Sequence, residues 1–213
     1  MRKIYIVLLF LVLMSPVSAQ IKMHQVFRQM PDSILPLLTK NNRLDCIDFL
    51  DSKMKAIVKN ILGDKSSLDS LTDNYLKLQM SSCSTVEMKL LPVKDTVQYI
   101  CVVSTFTGPA ASSSIDFYTT GWKHLKTGGF IDSPDFNFFF IKNDTASAEK
   151  LNQIKNRFDP VLYKISLSPD KEKLSYSLSF AGINKKDYSE VMPYLSGPIY
   201  YIWNNKKFIP VVH

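Results

Sequence analysis

The residue types that most often carry catalysis are few in this sequence, and they form no recognisable motif. Its histidines are His24, His124 and His213, and none has a second histidine, cysteine or carboxylate at a spacing typical of metal ligands. A Gly-x-Ser-x-Gly elbow is absent, and the small-residue loop at 108–114 lacks the lysine and the following helix of a phosphate site. The sequence therefore predicts no metal and no cofactor.

Nucleophile motifs are equally weak. Ser-x-x-Lys, found in some envelope hydrolases, begins at three serines, Ser52, Ser147 and Ser168. Serine and lysine are so frequent here that chance accounts for these matches, and the Ser-Asp-Asn element of that class is missing. A dyad of Cys83 or Cys101 with His124 has no local support, and Cys101 lies in an apolar run where a thiol is usually inert. The sequence favours a protein that is not an enzyme.

The amino-terminal residues have the anatomy of a secretory signal peptide. Arg2 and Lys3 precede an apolar run of about ten residues, and the small residues Val17 and Ala19 precede Gln20. A membrane-spanning helix needs about twenty residues, so the run is too short for an anchor. We predict cleavage of residues 1–19 between Ala19 and Gln20, a mature chain without a transmembrane segment, and a periplasmic or extracellular location.

The charge balance gives no indication of nucleic-acid binding. The formal net charge of +7 falls to +5 when Arg2 and Lys3 are left out. The remaining lysines are interspersed with acids, and no arginine-rich stripe is present. We therefore expect no nucleic-acid partner.

The three cysteines, Cys46, Cys83 and Cys101, are an odd number, so at least one has no partner within the chain. In the hairpin predicted below, Cys83 lies roughly 13 Å along the strand from the point opposite Cys101. That distance is too long for a disulfide. We expect Cys46 and Cys101 to be buried free thiols, although sequence alone does not decide the pairing.

The elements that would position these residues begin with three consecutive strands, predicted over 86–90, 97–106 and 114–122. Apolar and charged side chains alternate in the first strand, and the middle of the second is apolar on both faces. A polar turn centred near Lys94 joins the first two strands, which places Glu87 opposite Cys101. Glu87 and Lys89 are expected on a solvent-exposed face.

Helices are predicted around these strands. Apolar residues at three-to-four spacing predict one long helix over 41–62, which ends at Gly63. Further elements are a short helix over 31–40, strands over 75–80 and 136–142, a helix over 145–158, a hairpin over 161–180, a short helix over 184–195 and a last hairpin over 198–212. Residues 20–213 are predicted to form one α+β domain, with amino-terminal helices packed on a mainly antiparallel sheet of about six to eight strands. Two similar helix-then-meander units, 20–142 and 143–213, are the alternative division.

Three stretches carry a family resemblance: MPDSILPLLTKNNRLDCIDFLDSKMKA, STVEMKLLP and SSIDFYTTGWKHL. They belong to a region of about residues 23–125 that resembles an uncharacterised exported family of the Bacteroidetes, domain-of-unknown-function family 3256. The resemblance implies an exported bacterial protein and transfers no catalytic residue. It also raises O-glycosylation at Asp-Ser/Thr triplets such as Asp95-Thr96-Val97, which we interpret instead as turns and helix caps.

Aromatic side chains crowd at two places and form the candidate binding surface. Tyr118, Trp122 and His124 lie near one predicted strand end, and Tyr201 and Trp203 lie in the last hairpin. Tyrosine and tryptophan contribute strongly at interfaces. We therefore expect a non-enzymatic module of the cell envelope that binds a protein, peptide or glycan. A hydrolase of envelope or glycan substrates is the alternative, because two carboxylates distant in sequence can meet in space.

Alternation in the last hairpin puts Tyr200 and Ile202 on one face of the sheet, with Tyr201 and Trp203 on the other. If the sheet is covered on one side only, one of these pairs is exposed. We expect helices to cover both sides.

The signal-peptide interpretation predicts the mass of the exported protein. Purified from its native envelope, the protein should begin at Gln20 and carry no lipid, because the residue directly after the cleavage site is Gln20 and not cysteine. Intact-mass spectrometry measures this directly. A chain that retains Met1, or one with the added mass of a lipid, would contradict the prediction.

Overall fold

The computed structural model describes residues 20–94, 96–141, 148–180 and 185–211, and the predicted signal peptide lies outside them. Two helices come first, α1 (Met23–Gln29) and α2 (Lys40–Asp51). Seven strands follow: β1 (Ile57–Lys59), β2 (Lys65–Leu71), β3 (Tyr75–Ser81), β4 (Ser84–Lys94), β5 (Val97–Thr107), β6 (Ala111–Thr119) and β7 (His124–Leu125). The later elements are α3 (Ala148–Lys155), β8 (Leu162–Leu167), β9 (Lys173–Ser179), α4 (Lys185–Val191), β10 (Ile199–Trp203) and β11 (Phe208–Pro210).

The strands form two antiparallel sheets. β1 to β7 make a seven-stranded sheet, the large sheet, in which each strand pairs with its neighbours in the chain. β8 to β11 make a four-stranded sheet, the small sheet, in the same way. The predicted α+β class with antiparallel pairing is confirmed, and the three consecutive strands of the prediction are β4, β5 and β6.

The large sheet packs on both faces. One face packs against α1 and α2 in a core that includes Phe27, Ile47 and Met88. The other face packs against the small sheet in a second core, which includes Phe117 and Tyr176. Helices, large sheet and small sheet therefore form three layers, and β5 is apolar on both faces because it contributes to both cores.

α2 is shorter than the helix predicted over 41–62. Its N-cap is Thr39, whose hydroxyl accepts a hydrogen bond from the Asn42 amide. The helix ends before Lys53, whose φ is 57°. Residues 57–59 form β1 instead, with Val58 buried and its neighbours exposed. A short run with β-branched residues fits either period, and here pairing with β2 decides in favour of a strand.

Residues 31–38 form turns and not the predicted short helix. Arg43 on α2 is fully buried, and its guanidinium donates to the carbonyl oxygens of Leu38, at 2.7 Å, and of Met30. It also donates to the Asp32 carboxylate at 2.8 Å. Buried carbonyl groups of an irregular segment need such donors, so Arg43 stabilises this connection.

The register of the β4–β5 hairpin differs from the prediction by two residues. Cys101 lies opposite Lys89, and Glu87 lies opposite Val103. The turn is centred beyond Lys94, next to a bulge. A shift of two residues leaves every side chain on its predicted face, so the assignment of faces survives the error.

The strand predicted over 136–142 is wrong. Residues 136–139 form a 3₁₀ helix whose first turn is capped by Asp135, which accepts from the Asn137 amide at 2.8 Å. Phe140 makes a β-bridge with Leu195. α3 lies within the helix predicted over 145–158, whose predicted start is outside the described residues, and both later hairpins are confirmed by β8 to β11.

Side chains of the large sheet bind the edge of the small sheet. β8 is an edge strand, and the backbone amides of Ile165 and Leu167 lack a strand partner on that side. The Ile165 amide donates to Ser113 Oγ at 3.0 Å, and the Leu167 amide donates to Glu87 Oε2 at 3.4 Å. Unpaired edge amides are thus satisfied by side chains, which fixes how the small sheet lies across the large one.

The sequence predicted that Glu87 and Lys89 lie on a solvent-exposed face. This prediction is wrong, because that face is covered by the small sheet. Lys89 is 1% exposed, and its ammonium donates to the Pro169 carbonyl oxygen at 2.6 Å. Burial lowers the pKa of Lys89. Glu87 Oε1 accepts from the Tyr75 hydroxyl at 2.6 Å, and burial followed by this hydrogen bond raises the pKa of Tyr75.

This contact predicts a stability difference between two substitutions of Glu87. Glu87→Ala removes the acceptor of the buried Tyr75 hydroxyl and should lower the free energy of unfolding by about 1–3 kcal/mol. Glu87→Gln keeps an acceptor oxygen and should lower it less. Urea unfolding of the three proteins measures the difference, and equal midpoints for wild type and Glu87→Ala would contradict it.

Candidate functional site

Three of the five predicted binding-surface residues are buried. Trp122 is 8% exposed, and its indole donates to the Val26 carbonyl oxygen at 3.0 Å, which ties the end of the large sheet to α1. Tyr201 donates to the Asp132 carbonyl oxygen at 3.2 Å. Trp203 donates its indole N–H to a backbone carbonyl of β4. The prediction that these three lie on a contact surface is therefore wrong, because each buries its ring and satisfies its polar atom internally.

Tyr118 and His124 are neighbours on β6 and β7. They are paired in register, and their rings pack edge to face with centroids 5.2 Å apart. His124 Nε2 lies 3.3 Å from Asp116 Oδ1. Burial, and to a lesser degree Asp116, raises the pKa of Tyr118. Tyr118 is half-buried and His124 is exposed, and a binding role for this pair stays a prediction.

The cysteines are free in the structure. Cys46 and Cys101 are buried, as predicted, and Cys83 is exposed. Burial and then the nearby Asp45 raise the pKa of Cys46 to about 11, and burial raises that of Cys101 well above its usual value. A high thiol pKa means little thiolate at neutral pH, so these two residues are poor nucleophiles.

The Ser-x-x-Lys match at Ser52 does not assemble into a hydrolase site, and the match at Ser147 lies outside the described residues. Ser52 caps the end of α2, on the helical side of the large sheet. Residues 126–128 spell Lys-Thr-Gly, another element of the Ser-x-x-Lys hydrolases, but the adjoining Phe130 stacks on Phe117 in the core on the other side. Because the large sheet separates them, these two elements do not share a site.

The cavities show no acid pair either. Across five cavities of the described residues, Asp64 and Asp69 each line one, and no two carboxylates line the same one. No group of three or more histidine, cysteine or acidic side chains is placed to hold a metal ion within the described ranges. Residues with shifted pKa values, such as Lys89 and Cys101, line none of these five cavities.

The outer face of the small sheet is open to solvent. Ile202 and Ile209 lie opposite each other on β10 and β11, and they are 50% and 43% exposed. Tyr200 shares this face with Ile202, as the alternation predicts. The expectation that helices cover both sides of this sheet is therefore wrong.

Two cavities of this region meet at Tyr200. The first, of about 290 Å³, is lined by Phe138, Ser196, Pro198, Ile199, Tyr200, Pro210 and Val211. The second, of about 320 Å³, is lined by Ser166, Leu167, Ser168, Lys171, Lys173, Leu174, Ser175 and Tyr200. We call the first the apolar pocket and the second the lysine cleft.

Local contacts hold both cavities in shape. Ser196 donates its amide to the Phe139 carbonyl oxygen at 2.9 Å and its hydroxyl to that of Phe138 at 2.7 Å, which anchors one wall of the apolar pocket. Phe138 itself is 66% exposed at this wall. In the lysine cleft, the Lys173 ammonium lies 3.7 Å from the centroid of the Tyr200 ring, within the range of a cation–π contact.

Sequence reasoning missed Tyr200, Phe138 and Lys173 as candidates. The available indication was the alternation at 199–203, which separates Tyr200 from the buried Tyr201. Phe138 was hidden inside a run of phenylalanines that has no period. Lys173 is one of many lysines and becomes notable only through its position over the ring.

Comparison with known proteins gives a family without an activity. A family model described as "Protein of unknown function (DUF3256)" matches residues 15–208. Among solved structures, the chain is similar to a domain of an uncharacterised protein from Porphyromonas gingivalis W83, with 28% identity and a TM-score of 0.75 over 92% of this chain and 100% of that one. No curated protein matches the chain. The family resemblance seen in the sequence is confirmed. Separately, the helices of the described residues include none that is long and apolar enough to cross a membrane.

Thiol accessibility and pKa predict the labelling of the cysteines. At pH 8 the native protein should react with iodoacetamide at Cys83 alone, because Cys46 and Cys101 are buried and protonated. After denaturation without reductant, all three should react. Mass spectrometry counts the labels, and fewer than three in the denatured protein would reveal a disulfide.

Proposed function

Since the chain belongs to the DUF3256 family, which is described only as being of unknown function, we propose a function from its surface: a non-enzymatic binding module. Its contact surface is the outer face of the small sheet around Tyr200. The observation that carries the proposal is the group of exposed apolar side chains beside a preformed pocket, namely Phe138, Ile202 and Ile209. Exposed apolar groups beside a polar rim mark interaction sites.

The chemistry of this surface supports binding and gives catalysis no support. Neither cavity at Tyr200 is lined by a histidine, a cysteine or a carboxylate. Histidine and carboxylates are the groups that general acid–base catalysis uses most often. The alternative of a carboxylate-dependent hydrolase has no supporting observation among the five cavities described above.

The signal-peptide features support a site of action outside the cytoplasm. In the periplasm or beyond the cell, the available partners are envelope proteins, peptides and glycans. The module would act there by holding one of these against the small sheet.

Substitution of Tyr200 tests this proposal. Tyr200→Ala should lower the recovery of specific partners from native envelope extract at least tenfold, because an aromatic at the centre of a contact surface often contributes about 2 kcal/mol or more. Phe106→Ala is the matched control, since Phe106 is an aromatic residue at the surface, 62% exposed, but lies on β5 of the large sheet. Recovery would be quantified by mass spectrometry with both variants first shown to unfold at the wild-type temperature. Equal recovery with Tyr200→Ala and wild type would contradict the proposal.

A further inference from the structure

The apolar pocket offers almost no polar group to a ligand. Ser196 is the one side chain of its lining with a hydroxyl besides Tyr200, and it already donates to the Phe138 carbonyl oxygen. Sugar hydroxyls placed there would lose hydrogen bonds to water without replacement. An apolar group is therefore the chemistry that fits this pocket.

The size of the pocket limits that apolar group to about one side chain. Its volume of about 290 Å³ lies at the lower end of the range of roughly 300–1,000 Å³ for pockets that enclose a whole small ligand. A large side chain of a protein or peptide fits the observed volume.

The lysine cleft has the opposite character. Lys171 and Lys173 line it, and neither forms an ion pair with any described residue. The hydroxyl-bearing residues Ser166, Ser175 and Tyr200 lie side by side on three adjacent strands of the same face. The two serine hydroxyls have no hydrogen-bond partner in the described part of the chain. Cationic groups and free hydroxyls together form an anion-binding surface.

Within the described residues, the lysines of this face form no ion pair with an acid. Lys164 also lies on the outer face, because it pairs with Ser177 beside the Ser166–Ser175 pair. The nearest acids in sequence, Asp170 and Glu172, act electrostatically on the buried Lys89 at the inner side of the sheet. A partner that brings carboxylates to the outer face would therefore meet a complementary potential.

From these two cavities we infer that the partner is an acidic protein segment that carries one large apolar side chain. The apolar side chain enters the pocket between Phe138 and Tyr200, and flanking aspartate or glutamate carboxylates lie over Lys171 and Lys173. This inference rests on the proposed function and specifies the partner of the same surface.

Three synthetic peptides of equal length test the inference by fluorescence anisotropy. The first places phenylalanine between two pairs of glutamates, the second replaces the glutamates by glutamine, and the third replaces the phenylalanine by alanine. The first should bind, and the other two should bind at least tenfold more weakly. Equal affinity for all three, or no binding of the first, overturns the inference.

Protein variants locate the binding. Lys173→Gln and Lys171→Gln should each weaken the first peptide severalfold and reduce the salt dependence of its binding. Lys123→Gln is the matched control, because Lys123 is exposed on the β6–β7 turn of the large sheet. If Lys123→Gln weakens binding as much as Lys173→Gln, the attraction is non-specific and the inference fails.

Two further arms separate other partners from a peptide. Vesicles containing anionic phosphatidylglycerol and an acidic oligosaccharide are each added as competitors. If the vesicles or the oligosaccharide displace the peptide, and this displacement is lost in Tyr200→Ala, the inference is overturned in favour of that ligand. If no peptide binds while envelope partners still depend on Tyr200, the inference falls and the proposed function stands. If Tyr200→Ala leaves partner recovery unchanged, both the inference and the proposed function are contradicted.

Discussion

The attachment of the small sheet to the large one is the constraint on which the rest of the structure depends. The contact is made by an edge strand, β8, whose free amides would be costly if buried without partners. Ser113 and Glu87 accept from these amides, and Lys89 donates to the following turn. Because these hydrogen bonds have fixed donors and acceptors, they select one placement of the small sheet where apolar contact alone would allow several.

That placement decides which aromatic residues are inside. With β8 held at Glu87, the inner face of the small sheet carries Tyr201 and Trp203, and both find backbone carbonyls for their polar atoms. The alternate residues, Tyr200 and Ile202, then face solvent. The polar contacts in the interior thus place Tyr200 and Ile202 on the opposite side, where the cation–π contact of Lys173 restrains the Tyr200 ring.

Much of the fold could be predicted because alternation is a local property. It identified β4, β5, β6 and both hairpins of the small sheet, and it assigned faces correctly in the hairpin whose register was wrong by two. The failures arose where local pattern does not decide. Residues 57–59 fit a helix or a strand, and the run of phenylalanines at 136–140 has no period at all. Lys89 looked solvent-exposed because a charged residue is rarely buried, and its burial depends on a carbonyl group 80 residues later in the chain.

The candidate site could be predicted from local sequence even less well than the fold. Aromatic composition pointed to Trp122, Tyr201 and Trp203, but a large ring with one polar atom suits a core with a free carbonyl as well as it suits an interface. The strongly perturbed ionisable groups, among them Tyr75, Lys89 and Cys101, likewise have their pKa values shifted chiefly by burial. In enzymes such groups tend to cluster in clefts. Here they lie between layers, where Tyr75 and Lys89 hold the sheets together, while the cavities at the surface are lined by serine, lysine and apolar side chains. The ionisable groups with strongly shifted pKa values therefore stabilise the packing of the layers, and the functional proposal rests on the chemistry of the surface cavities instead.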